Sequence, residues 1–269
     1  NAYGLGASIN YGIIFSAGIT YKDIYSQLGS LQINSTDKGS TKANAIDYGF
    51  LITVPVIKLI DENYCFDFFN NSKIVPSFNY NLGYSRLNIG KEIYYVDPAQ
   101  KDPLPLTARL GQTFNFGFNF QNNEISINLL NYDLILEADD ILIDGRSNNE
   151  VSYQGFLGDI DFGKHLIQLK GDNKVVVHKG HAISFVETVT LLKGSFHGRG
   201  YMDIRQTDGL MLSTNGLFKW VSSQINNGPL KFITDHLELR YISSSIFNNS
   251  DIETNFSGLS VSFVNYSFN

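Results

Sequence analysis

The chain has 269 residues and a formal charge of −6, with 20 Lys and Arg against 26 Asp and Glu, a balance that argues against nucleic acid as a partner. Its one cysteine, Cys65, excludes an internal disulfide, and no run of about 18 apolar residues offers a membrane-spanning helix. Twenty Phe, fifteen Tyr and 24 Gly against one Trp and two Met point to strands rather than helices.

From Tyr3 to Tyr21 the odd positions read Tyr, Leu, Ala, Ile, Tyr, Ile, Phe, Ala, Ile, Tyr, while the even ones are mainly Gly, Ser, Asn and Thr. Alternation of this kind marks a β-strand with one apolar and one wet face. The segment is one very long strand or two strands joined near Asn10–Gly12. Residues 34–44 form a polar loop of turn-forming types. A strand follows with Ile46, Tyr48, Phe50, Ile52 and Val54 on one face and Asp47, Gly49 and Thr53 on the other. Pro55 is expected to end it.

Residues 61–72 read as a loop or short turn. The segment 73–88 alternates again, with Ile74, Phe78, Tyr80, Leu82 and Tyr84 opposed to Ser77, Asn79, Asn81, Gly83 and Ser85. A polar, proline-bearing connection covers 88–105. Then comes the clearest stretch, 106–120. Its even positions carry Leu106, Ala108, Leu110, Phe114, Phe116, Phe118 and Phe120, with Gln112 the only break, and its odd ones Thr107, Arg109, Gly111, Thr113, Asn115, Gly117 and Asn119. At roughly 3.3 Å per residue it would span about 50 Å, beyond a usual globular strand.

Residues 123–136 return antiparallel, and an acidic stretch, 138–160, is read as a loop or as a segment folded into a barrel lumen. Further strands are expected near 162–170, 174–187, 189–198, 207–222, 230–246 and 254–268. No segment shows a sustained helical stripe with capping signals. The expected fold is all-β: one domain, residues 1–269, forming a transmembrane antiparallel up-and-down barrel of about 12–14 strands with lipid outside and a polar interior. Phe114, Phe116, Phe118 and Phe120 would face lipid. Asp47, Arg109, Asn115 and Asn119 would face the lumen, with Arg109 pairing Asp47 or another inward carboxylate. The sequence opens without a signal peptide, which for an exported protein implies the mature form or a fragment.

Chemistry is sparse. His178 and His181, three apart on a strand, point to opposite faces and cannot share a metal there. Gly194-Ser-Phe-His-Gly198 lacks the strand–turn–helix setting of a nucleophile elbow. Asp139–Asp144 lacks the ligand spacing and glycine of a calcium loop. No enzyme activity, cofactor or metal is expected.

Two stretches carry a resemblance. Leu104-Pro-Leu-Thr-Ala-Arg-Leu-Gly111 resembles the proline-led strand entry of FadL-like outer-membrane barrels. Lys179-Gly-His-Ala-Ile-Ser-Phe-Val-Glu-Thr-Val-Thr-Leu-Leu-Lys-Gly-Ser-Phe196 resembles a strand pair of their PorV/PorQ branch in Bacteroidota. Gln206-Thr-Asp-Gly209 and Gly258-Leu-Ser-Val-Ser-Phe263 are similar to that group too, whereas its amino-terminal Asn-Pro-Ala motif is missing. The resemblance implies an outer-membrane location and a noncatalytic role in type IX secretion. Outer-membrane lipid and other membrane or secreted proteins would be the partners. The alternatives are a FadL-like transporter of small hydrophobic molecules and a structural barrel or pore.

Overall fold

A computed structural model describes residues 1–27, 40–69, 71–90, 92–94, 101–123, 125–147, 150–224, 228–247 and 254–263. Most of the expected loop 34–44, the middle of 88–105 and residues 264–268 of the last expected strand lie outside them. In chain order the elements are β1 (Ala2–Asn10), β2 (Ile14–Gln27), β3 (Ser40–Pro55), α1 (Val56–Ile60), β4 (Phe66–Phe68), β5 (Ser72–Gly90), β6 (Thr107–Gln121), β7 (Ser126–Ile141), β8 (Ile143–Ser147) and β9 (Glu150–Tyr153). A π-helix (Phe162–Ile167) precedes β10 (Val175–Phe185), β11 (Val189–Gly198), β12 (Tyr201–Ser213), α2 (Asn215–Gln224), α3 (Gly228–His236), β13 (Leu237–Phe247) and β14 (Thr254–Phe263).

The protein is predominantly antiparallel β-sheet. One twelve-stranded sheet runs β1-β2-β3-β5-β6-β7-β10-β11-β12-β13-β14, with β4 paired to β5 off this path, and β8 and β9 form a separate pair. The sheet is not closed into a barrel: among the described residues β1 and β14 are its open ends.

The chain divides into two compact units. The first comprises Asn1–Thr53, Asn81–Gln112 and Glu137–Val177. Its opening alternation is a hairpin. Gly12 adopts φ 86°, a conformation glycine takes without steric cost, Gly12 N donates to Asn10 Oδ1 at 3.0 Å, and β1 pairs β2 from Ala2↔Lys22 to Asn10↔Ile14. β2 pairs β3 over its whole length, and β3 ends at Pro55 as expected. Ala43, Ala45 and Leu104 form a small core against Ile24 and Ile93. Leu142, Leu166 and Val175 are fully buried, each worth about 1.5–3 kcal/mol relative to exposure.

The acidic middle differs from its expectation. Residues to Ile141 extend β7, and the strand expected over 162–170 is instead a π-helix, Phe162–Ile167, with an irregular end. Asp161 caps that helix, accepting from Lys164 N at 2.6 Å. The segment packs on the face of the sheet that bears the aromatic side chains: Tyr84 stacks on Phe156 at 4.1 Å, and Gln112 Nε2 donates to Leu166 O at 3.3 Å. The one break in the 106–120 pattern is thus where a polar side chain meets a helix carbonyl.

The second unit comprises Val54–Tyr80, Thr113–Leu136 and His178–Asn269. β11 to β14 form an antiparallel meander with registers such as Leu192↔Gly209, Gly209↔Ser244 and Ser244↔Phe256. Two helices interrupt the strands expected at 207–222 and 230–246. Gly216 of α2 lies so close to the β10–β11 turn that a Cβ there would stand 1.7 Å from Val186 O. Val186 and Glu187 adopt φ 50° and 51°, a region rarely used by a β-branched residue.

Candidate functional site

The features that set this chain apart are the two faces of its strands. In the first unit the register aligns Leu5–Ile19–Tyr48, Ala7–Ala17–Phe50 and Ile9–Phe15–Ile52 on one face. The opposite face carries Gly4–Thr20–Asp47 and Gly6–Gly18–Gly49. The apolar rows are bare: Leu5 is 82 % exposed and Ile19 52 %.

In the second unit aromatic side chains occupy alternate strand positions. Phe78 stacks on Phe116 with centroids 4.5 Å apart and planes 4° from parallel, and Tyr80 lies 5.2 Å from Phe114. Phe116 also stacks on Tyr132 at 6.4 Å, and Tyr132 on His181 at 6.0 Å, with Tyr132 Oη 2.8 Å from His181 Nδ1. Phe120 meets Phe68 edge-on at 6.4 Å. Phe116 and Phe118 remain 44 % and 43 % exposed. The structure therefore places Phe114, Phe116, Phe118 and Phe120 on one face of β6.

The other face is a hydrogen-bonded polar ladder. Asn79 Nδ2 donates to Asn115 Oδ1 at 3.1 Å, and Asn115 Nδ2 donates to Asn131 Oδ1 at 2.9 Å and Asp133 Oδ1 at 2.5 Å. Asn119 Oδ1 accepts from Ser126 Oγ at 3.1 Å. Side chains at two-residue spacing on adjacent strands can satisfy one another in this way, the condition for burying amides at low cost. Gly117 leaves room for the ladder, since a Cβ there would stand 2.6 Å from Ser77 Oγ.

In the first unit Asp47 and Arg109 lie on the polar sides of their own strands but do not pair. Asp47 Oδ2 is 2.6 Å from Lys22 Nζ, and its Oδ1 accepts from Asn88 N at 2.8 Å. Lys22 Nζ also donates to Asn88 Oδ1 at 2.9 Å. Arg109 is half-exposed, 3.8 Å from Glu137 Oε1. The sequence left Arg109's carboxylate open; the strand register supplies it.

The π-helix, in a segment expected as a strand, holds a polar cluster. His165 is 1 % exposed; Asp161 N donates to its Nδ1 at 2.8 Å, which leaves Nε2 to donate to Asp172 Oδ2 at 3.3 Å. Asp172 also accepts from Lys164 Nζ and from the backbone N–H of Lys174 and Val175, both at 2.9 Å. Partial burial raises the Asp172 pKa, but these donors outweigh it and hold the carboxyl well below the ordinary carboxylate range. Hydrogen bonds from Lys174 and Gln154 likewise lower Asp159. These bonds anchor the segment on the strands.

Two cavities adjoin on one face of β11 to β13. A polar one of about 240 Å³ is lined by Asn131, Ser184, Glu187, Thr190, Glu238 and Arg240 among others. Arg240 Nε and Nη2 donate to the two Glu238 oxygens at 2.7 and 2.9 Å, and Ser213 Oγ donates to Glu238 Oε1 at 2.9 Å. Beside it runs a mainly apolar groove of about 370 Å³, floored by Gly180, Gly194 and Gly209 and walled by Ile135, Leu192 and Phe256. The alternation of Leu192 and Gly194 with Thr207 and Gly209 carried a trace of this groove in the sequence, but only the register brings the glycines together.

No family model matches the chain, and no curated protein is similar to it. Among the described residues no helix is long and apolar enough to cross a membrane, which says nothing of strands.

Proposed function

We propose that this chain forms the wall of a noncatalytic outer-membrane β-barrel, its aromatic face in lipid wherever the segment around the π-helix does not cover it and its Gly, Ser, Asn and Thr face toward a polar interior. The observation that carries this reading is the bare apolar surface of β1 to β3. Tyr3, Leu5, Ile9, Phe15, Ile19 and Phe50 are all at least two-fifths exposed in registered rows. Water is a poor solvent for a patch of that extent. Hydrocarbon is a good one, and a β-sheet closed into a barrel is one of the two structures that can span it. By its resemblance to the PorV/PorQ branch, the barrel would serve type IX secretion by binding a translocon component or secreted cargo.

Fractionation and pull-down in mild detergent test both levels. Recovery in the outer-membrane fraction, needing detergent for extraction and carrying an export protein with it, is the expected result. A stable water-soluble monomer would reject the barrel. A detergent-extracted lone monomer would reject the secretion role alone.

The apolar groove favours a second reading, passage or binding of a small hydrophobic molecule. Ser244→Phe, which places a ring in the groove, would then abolish binding of a fluorescent fatty compound in liposomes. Unchanged binding would remove this reading.

A further inference from the structure

We propose that the α2–α3 hairpin is an interfacial membrane anchor that lies in the phospholipid headgroup layer, with Leu217, Trp220, Phe232 and Ile233 turned toward the acyl chains. This deepens the lipid-wall reading above and rests on it. The two helices are amphipathic in the inverse sense. Their protein-facing positions are Gly216, Ser222 and Thr234, all buried, while Trp220 is 58 % exposed, Leu217 53 %, Phe232 48 % and Ile233 46 %. A helix on a water-soluble protein turns its apolar stripe inward. An interfacial helix turns it toward lipid.

The hairpin is held in that orientation. Asn215 Nδ2 and Lys219 Nζ donate to Glu187 Oε2 at 2.8 and 2.6 Å, and Glu187 Oε1 accepts from Asn128 N at 2.8 Å. Gly216 sits against the Val186 carbonyl with no room for a side chain, and Ser222 bonds Asp235 between the helices. Rolling α2 to hide Trp220 would break the Glu187 contacts and drive bulk into that turn.

The neighbouring strands give the hairpin a purpose. On the face of β12 to β14 opposite the groove, Leu212–Tyr241–Leu259, Leu239–Val261 and Leu237–Phe263 are apolar rows, but Leu210–Ser243–Ser257 and Asp208–Ser245–Asn255 turn polar. Within the described residues, Leu259 to Phe263 covers about 13 Å at strand rise, roughly half the apolar band of about 25 Å that a membrane barrel presents. α2 begins two residues past Ser213 and α3 runs directly into Leu237, so the hairpin continues the band at its apolar end. Trp is the side chain most at home in that layer, and exposed Lys231 can meet lipid phosphates.

Trp220 is the chain's only tryptophan and hence a built-in reporter. The full chain is reconstituted in phosphatidylcholine–phosphatidylglycerol vesicles with acyl chains brominated near the headgroup or near the chain end. Expected are a blue-shifted emission and stronger loss of intensity with the shallow bromines than with the deep ones. A second protein, Trp220→Phe with Phe116→Trp, reports on the strand wall. If Phe116→Trp is quenched while Trp220 keeps a water-like emission open to acrylamide, the anchor is wrong and the wall stands. If neither responds to bromine, the lipid-wall reading has failed and the anchor with it. Leu217→Ser with Ile233→Ser should return Trp220 emission toward the red; no change would also count against the anchor.

Discussion

β1 to β3 and β11 to β14 share one period but separate their faces differently. In β1 to β3 each apolar position meets another apolar one across the register, from Tyr3 to Ile9, and glycine, serine and threonine dominate behind them. In β11 to β14 the row Val189–Leu212–Tyr241–Leu259 gives way within four residues to Lys193–Asp208–Ser245–Asn255. The reverse face there is mixed too, with Leu192, Ile246 and Phe256 beside glycines. Alternation sets where side chains point. Only the cross-strand register decides whether a face is uniform enough to meet one solvent.

One charge placed in each region separates the two faces by the largest effect. In vesicles, Ile19→Arg should cost about 2–4 kcal/mol, the penalty of a cation on a lipid face, while Ser245→Arg, in the polar row, should cost less than about 1 kcal/mol. Urea unfolding midpoints measure both. Equal costs would mean that the first strands are not a lipid wall.

A smaller effect tests the polar side. Lys22→Met leaves Asp47 with only its Asn88 bond and should destabilise by about 1–3 kcal/mol. Adding Asp47→Asn should recover part of that loss in a double-mutant cycle. Asn115→Leu should cost a similar amount, because Asn131 and Asp133 lose their common donor.

The smallest effect separates the regions by pH. The folded-state pKa of Asp172 is depressed. Its contribution is therefore fully present above the unfolded value of about 3.9 and is lost as pH falls through the folded value. Acid should raise amide exchange in residues 161–175 before it does so in β11 to β14. Asp172→Asn should show the raised exchange already at neutral pH, and an unchanged pH profile would remove this role.

The strands were legible because period two survives in the sequence wherever one face is apolar. Gly12 and Asn10 even marked the first hairpin. The helices were not legible, and their inverted amphipathicity is the reason: Leu217, Trp220, Phe232 and Ile233 lie outside, so the usual inward stripe is missing. The π-helix escaped because Gly163, Lys164 and His165 give no apolar period, and its stability comes from Asp161 and Asp172 on either side. Of the polar residues singled out, Asn115 and Asn119 proved to be engaged within their own strand neighbourhood. The partners of Asp47 and Arg109 depended on register and could not be read from spacing.

The open path has a consequence of parity. An up-and-down sheet closes on itself with antiparallel neighbours only when its strands are even in number. With β4 off to the side, the described path holds eleven. Among the described residues each terminal strand also has one edge with no paired strand, and hydrocarbon penalises unsatisfied backbone groups by several kcal/mol apiece. A closed membrane form of the described path would take an odd number of further strands to seal it. If the lipid-wall reading holds, the seam where such strands enter is the place where a partner would join.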